Sequence, residues 1–157
     1  MGIQYQVSSI KYLFCSAPRL FGDDDARVDD DMKRRSFGRF GEWAALLWLL
    51  IRGYRLRHRN WRGPSGELDL VMSRRGEIVF VEVKARSSGD FGGALGAVNR
   101  SKQAALARTA SAYLSRFTLW DRPCRFDVIA IERTGRGPGF RVTHQTNAFQ
   151  PDLGRRM

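Results

Sequence analysis

Cysteine is nearly absent. Cys15 and Cys124 are the only two, far apart and without companion ligand spacing, which excludes a disulfide framework and a cysteine-built zinc site. No apolar run approaches the roughly 20 residues of a membrane-spanning helix. The longest, Ala44 to Ile51, falls well short, so no transmembrane segment is expected. Histidine is equally scarce, and neither His58 nor His144 has a ligand partner spaced nearby, so His58 reads as a packed or surface side chain and His144 as a surface strand residue. Ile10 to Phe14, interrupted by Lys11, is too short for a secretory core. Internal repeats and low-complexity tracts are missing. Together these absences predict a protein of a reducing cytoplasm.

Acidic residues are few beside basic ones: 16 Asp and Glu against 27 Lys and Arg give a net charge of +11. All of that excess lies after Arg35, and Arg far outnumbers Lys. A surface this basic attracts polyanions, and arginine's fork suits bidentate phosphate contacts, so nucleic acid is the expected partner. Genome composition is a second source of arginine. No long basic amphipathic helix points to a membrane surface. The length of 157 residues suits one domain. Residues 1–35 differ from the rest, with Asp23-Asp24-Asp25 and Asp29-Asp30-Asp31 following an acid-free aromatic piece. They predict a poorly structured extension, with Met32 as an alternative start, ahead of a domain over residues 36–150 and a tail over 151–157.

The stretch Gly66 to Arg86, GELDLVMSRRGEIVFVEVKAR, predicts an antiparallel hairpin with charges inside it. Glu67 to Met72 and Ile78 to Lys84 read as strands around a polar turn, Ser73 to Gly76. Alternation puts Val79, Val81 and Val83 on one face and Phe80, Glu82 and Lys84 on the other. In the first strand it groups Leu68 with Leu70, and Asp69 with Glu67 and Val71. Paired strands lie about 5 Å apart, so Asp69 and Glu82 converge if the register cooperates. Two such carboxylates repel, and a divalent metal resolves the conflict. Magnesium is held by one or two carboxylates plus waters and phosphate oxygens, which suits an Asp and a Glu, with manganese the alternative. Lys84 beside them can orient or deprotonate a water or neutralise a developing phosphate charge. The plainer alternative is a solvated Glu82–Lys84 ion pair.

Arg39 to Arg52 predicts a buried helix, with Trp43, Leu46, Leu47 and Leu50 at helical spacing and Gly53 ending it. Glu42 in its first turn either complements the helix dipole or points into the Asp69 site. Tyr54 to Asn60 reads as a strand with Arg55, Arg57 and Arg59 on one face, either tracking a phosphate backbone or protecting an edge. Arg62 and Arg86 flank the hairpin as further phosphate contacts. Arg86 to Gly96 is a glycine-rich loop matching no phosphate-binding fingerprint. Asn99 or Ser101 caps a second helix through Phe117, with Lys102 and Gln103 in its first turn. A cation there opposes the dipole, so Lys102 has either a site role or an accidental surface position. Arg125 to Ile131 and Phe140 to His144 read as strands joined by a Gly/Pro turn. Asp127 either supports the site or ends a salt bridge to Arg125.

The order helix with Glu42, strand, strand with Asp69, strand with Glu82-x-Lys84, helix with Lys102, strand resembles the PD-(D/E)XK nuclease superfamily in its archaeal Holliday-junction-resolvase version. The phrases GEWAA, GELDLV, VFVEVKAR, Lys102-Gln103, RFDVIAIE and HQTNAF resemble more closely the YraN family of small bacterial endonuclease-like proteins, over about Phe37 to Phe149. The resemblance implies an α/β fold, a mixed central sheet flanked by helices with a restriction-endonuclease-like core. It implies Asp69 and Glu82 as metal ligands, Lys84 as the catalytic lysine, and Glu42 as the helix-borne acid. Leu68-Asp69 stands where the superfamily has Pro-Asp. The implied activity is magnesium- or manganese-dependent cleavage of nucleic acid, with DNA favoured, branched DNA among it, and a homodimer expected of a junction-cleaving enzyme. The alternative is a structure-selective nucleic-acid-binding protein without catalysis.

Overall fold

The structure is a computed structural model that describes the backbone of residues 3–7, 25–86, 98–134, 139–151 and 153, and the side chains of residues 37–85, 98–134, 139–151 and 153. The expected glycine-rich loop and Gly/Pro turn lie largely outside these residues. The elements run β1 (Ile3–Val7), α1 (Asp25–Ile51), β2 (Arg55–Gly63), β3 (Gly66–Arg74), β4 (Glu77–Arg86), α2 (Arg100–Arg116), β5 (Cys124–Arg133) and β6 (Phe140–Phe149). The strands form one mixed sheet in the order β1-β6-β5-β4-β3-β2. Among the described residues only β4 and β5 are parallel; every other pair is antiparallel. The parallel pair needs a crossover, and α2 lies within that connection.

One helix covers each face. Alternation sends Val79, Val81, Ile129 and Ile131 toward α1, where they pack with Ala45, Leu46 and Leu49. The opposite parity, Ile78, Phe80, Phe126 and Val128, packs with Leu106, Ala110, Tyr113 and Leu114 of α2. This is the expected α/β architecture, compatible with a restriction-endonuclease-like core. Among the described residues no helix is long and apolar enough to cross a membrane.

Two expectations about α1 change. The helix begins at Asp25, well before Arg39, and β1 pairs with β6 from within the first ten residues. Its apolar side chains are also not all buried: Trp43 is 56% exposed, Leu47 50% and Ile51 74%, beside fully buried Ala45 and Leu49. A helix lying on a single sheet buries only the face turned to it, so an all-round apolar pattern overstates the buried stripe. Its end is as expected. Gly53, at φ +79°, takes the left-handed position and its amide bonds Leu50 O at 3.0 Å.

The β3–β4 turn is tighter than expected, with Arg75 (φ +50°) and Gly76 (φ +85°) alone at its centre. That pair of positive φ values is the signature of a type I′ hairpin turn.

Candidate carboxylate site

The site forms where the sheet becomes irregular. The β3–β4 ladder extends from Arg74–Glu77 to Leu70–Val81 and stops there. Beyond it Asp69 Oδ2 accepts the amide of Val83 at 2.8 Å, a side chain standing in for the missing backbone partner. On the other side of β3, Asn60 would oppose Asp69, yet that pair is missing from the β2–β3 register and Asn60 sits at φ +50°. Alternation is lost at this point: Leu68 packs with the α2 layer while Leu70 packs with the α1 layer, so the two do not share a face as expected. The interruption leaves Asp69 between the two helical layers.

Each layer then supplies a charged group. From α1, Glu42 Oε2 accepts Asn60 Nδ2 at 3.0 Å. Glu42 lies well inside a helix that starts at Asp25, so complementing the helix dipole does not account for it. Close approach is possible because Gly41 precedes it: a Cβ there would fall 2.5 Å from Ala85 Cβ on β4. From α2, Lys102 Nζ reaches Glu82 Oε1 at 3.1 Å. Asn99 rather than Ser101 caps that helix, its Oδ1 accepting the Lys102 amide at 2.8 Å. The cap fixes the backbone of the residue whose side chain holds Glu82. A cation in the first turn is thus matched to a carboxylate on the neighbouring strand.

The electrostatics are strained. Burial and the Glu82 charge push the Asp69 carboxyl up to about 7, and Glu42 adds to the rise; the Val83 amide and Lys102 oppose it. Glu82 Oε2 is buried and has no hydrogen-bond partner among the described residues, and the same holds for Asn60 Oδ1. An unsatisfied buried carboxylate oxygen is costly, and a divalent cation is the ligand that would satisfy it while neutralising Asp69 and Glu82. Asp69 and Glu82 are the pair that could hold such a cation. Among the described residues no group of three His, Cys, Asp or Glu side chains is gathered closely enough to hold a metal by itself.

Lys84 follows Glu82 by two residues on β4 and shares its face, opposite Ala130 in the parallel register. The arginines are less united. A register shift between Leu56 and His58 breaks the expected row of Arg55, Arg57 and Arg59. Arg57 lies beside the Tyr113 hydroxyl on the α2 side, while Arg59 stacks 4.3 Å from the Trp43 ring on the α1 side. An extra residue in one strand reverses the facing of those beyond it, which the bare sequence does not reveal. Arg62 pairs with Glu67 at 3.2 Å, and the Arg86 side chain lies outside the described residues.

The two histidines are structural. His58 Nδ1 is 2.7 Å from Tyr113 Oη. His144, expected at the surface, is only 9% exposed, and its Nε2 lies 2.9 Å from Oδ2 of fully buried Asp127. Asp127 also accepts Arg125 Nε and the Asn147 amide, each at 2.9 Å, so the salt-bridge alternative holds for it. Burial raises the Asp127 carboxyl, but hydrogen bonds from His144, Arg125 and the Asn147 amide outweigh it and hold the group below its ordinary value. Arg125 extends the cluster to Glu77 and the Tyr54 hydroxyl.

Sequence reasoning missed Asn60 and Gly41. Asn60 ends an alternating run with a residue tolerant of positive φ, and Gly41 is a glycine inside a helical pattern; both are signals of a local constraint.

Comparison with known proteins is consistent over this region. A profile of the family described as "Uncharacterised protein family UPF0102" matches residues 41–131, which include Glu42, Asp69, Glu82, Lys84 and Lys102. A UPF0102 protein of Chlorobium phaeobacteroides is 43% identical over 116 residues, covering 71% of this chain and 92% of the relative. One from Bacteroides thetaiotaomicron is 40% identical over 121 residues, covering 77% and 98% respectively. A third, from Moorella thermoacetica, is 44% identical over 113 residues, covering 71% and 94%.

Proposed function

The chain belongs to the UPF0102 (YraN-like) family, and we propose that its carboxylate site is that of a metal-dependent endonuclease of the PD-(D/E)XK superfamily. Its substrate is nucleic acid, with DNA favoured and branched DNA of recombination or repair the expected form. The observation that carries this reading is the buried Glu82 Oε2 without a hydrogen-bond partner among the described residues, beside an Asp69 whose own charge is opposed by burial and by Glu82. A structural pair would be expected to have its lone pairs satisfied; a ligand site leaves them facing the ligand.

Asp69 and Glu82 would hold magnesium or manganese, which when bound supplies charge stabilisation and water activation at a phosphodiester. The chain's own groups do the rest. The Val83 amide fixes one oxygen of Asp69, leaving the other to face the ligand. Lys102 offsets the charge of Glu82 and keeps two carboxylates tolerable in one buried space. Lys84 neutralises charge that builds on the phosphate oxygens as the bond to the leaving oxygen breaks. Glu42, held by Asn60, would accept a proton from the attacking water.

The test is cleavage of labelled single-stranded, duplex and four-way-junction DNA with magnesium, manganese or chelator, using wild type, Glu82→Ala and Lys84→Ala. Metal-dependent cutting is expected, and Glu82→Ala is expected to lose about a hundredfold or more in rate, from several kcal/mol of metal stabilisation at 1.36 kcal/mol per decade. Cutting retained in Glu82→Ala would assign the activity to another protein.

A second reading is a structure-selective nucleic-acid-binding protein without catalysis. It is favoured by the lack, among the described residues, of three ligand side chains gathered for a metal. It predicts binding that is indifferent to magnesium and to Glu82, with no cutting under any of those conditions.

A further inference from the structure

At the end of the sheet opposite the carboxylates, four segments surround an open depression of about 650 Å³. They are the end of α1 with Gly53, the start of β2, the β3–β4 turn, and the α2–β5 connection. Six arginines line it, Arg52, Arg55, Arg57, Arg74, Arg75 and Arg122, and among the described residues no Asp or Glu does. Outside the lining, exposed Asp121 lies 3.9 Å from Arg122. Six like charges around one concavity repel each other, and a bound anion would offset that cost.

The local chemistry argues that the cost is tolerated for a ligand. Arg75 occupies the first central place of a type I′ turn at φ +50°, a place where Asn, Asp or Gly would be less strained. Arg74 lies 4.8 Å from the Tyr54 ring centroid, a cation–π distance that holds this guanidinium at the rim. Arg122 Nη1 lies within 3.7 Å of a Cβ position built on Gly76, so the turn and the α2–β5 connection meet at the rim. These are forks, not point charges, and forks match phosphate oxygens two at a time.

We infer that this arginine-lined depression binds a run of backbone phosphates of a nucleic acid, at a distance from the carboxylates. A single phosphate engages one or two guanidinium groups, whereas six spread around an open concavity fit several phosphates in succession. The edge strand β2 leads from the depression to the other site, from Arg55 to Asn60, five residues along. That is about 17 Å of strand, or about five nucleotide steps of a duplex. The depression thus sets how much nucleic acid must flank the position held at Asp69 and Glu82. This spacing rests on the nuclease reading above; the binding itself does not.

The test separates the two. Full-length protein carrying Glu82→Ala, in chelator, is titrated against fluorescein-labelled duplex and single-stranded DNA from about 50 to 300 mM salt, following anisotropy. Arg74→Gln, Arg75→Gln and Arg122→Gln combined are expected to weaken binding about ten- to a hundredfold at 150 mM salt and lower the salt slope by about 2 to 3. Arg108→Gln with Arg116→Gln, exposed on α2, is the control and is expected to do much less. Arg75→Gly relieves the positive φ while removing one fork, so it should fold at least as well and still lower the slope by about 1. An unchanged slope in the triple variant, or an equal loss in the control, overturns the inference. So does saturable, variant-sensitive binding of inorganic phosphate or of anionic lipid vesicles with DNA binding unaffected. A wild type that binds DNA through these arginines yet never cuts leaves the depression standing and removes only the nuclease.

Discussion

At the scale of single residues, two buried aspartates have opposite electrostatic fates. Asp127 gains enough from His144, Arg125 and the Asn147 amide to stay ionised despite complete burial. Its native form therefore binds a proton less readily than the unfolded chain does. The stability it contributes is complete above the ordinary carboxylate value and is lost as pH falls through the depressed one. Asp127→Asn is expected to cost about 3 kcal/mol at pH 7 by leaving Arg125 short of a partner, and to flatten the acid side of a urea-midpoint-against-pH curve; a variant as steep as wild type would assign the acid sensitivity elsewhere. Asp69 is the reverse case. Its charge is opposed by burial and Glu82, so Asp69→Asn, which keeps an oxygen for the Val83 amide, should stabilise chelated protein. A gain of about 1 kcal/mol would raise the thermal midpoint by roughly 2–4 °C. Magnesium should raise the wild-type midpoint and leave the variant's unmoved. A variant less stable than wild type in chelator would mean that Asp69 is structural. Neither fate was legible in the sequence, where both residues stand in alternating apolar strands and differ only in what the fold brings against them.

At the scale of elements, the contact between α1 and β4 decides where Glu42 stands. Alanine at position 41 should gain about 1 kcal/mol from helix propensity alone. Here its Cβ would meet Ala85 Cβ at 2.5 Å, so the helix must shift outward. Gly41→Ala is expected to cost about 1–3 kcal/mol in denaturant unfolding, and Ala85→Gly in the same chain to return most of it, as a coupled pair should. If Gly41→Ala stabilises the protein, the close packing is wrong and Glu42 loses its support. The hairpin shows how far pattern reading reaches. Its strands and the facing of Glu82 with Lys84 follow from a two-residue period that the apolar residues mark plainly. The period was misleading where the backbone departs from it, at the shift between Leu56 and His58 and at the break beside Asp69. Those irregularities are what bring the candidate site together.

At the scale of the whole molecule, the arginine-lined depression and the carboxylate site lie toward different ends of the sheet. The net charge of +11 was evident from composition, and so was a polyanion as the expected partner. Its distribution was not: the row of arginines expected on β2 is split between two faces, and the arginine-lined depression draws on four segments far apart in the chain. The sequence by itself determined strands β2 to β6 of the sheet, the two helices of the core, the family, and the identity of the acidic and basic side chains around Asp69. These are set locally, by apolar period, caps, turn residues and short phrases. Only the tertiary structure decided which charges meet: Glu42 with Asn60, Lys102 with Glu82, Asp127 with His144, and Arg74 and Arg75 with Arg122. Such meetings depend on strand order, on the ladder's end at Leu70–Val81 and on the close approach that Gly41 permits. Coulomb and hydrogen-bond energies depend on separation and burial in space, and neither is a property of neighbours along a chain.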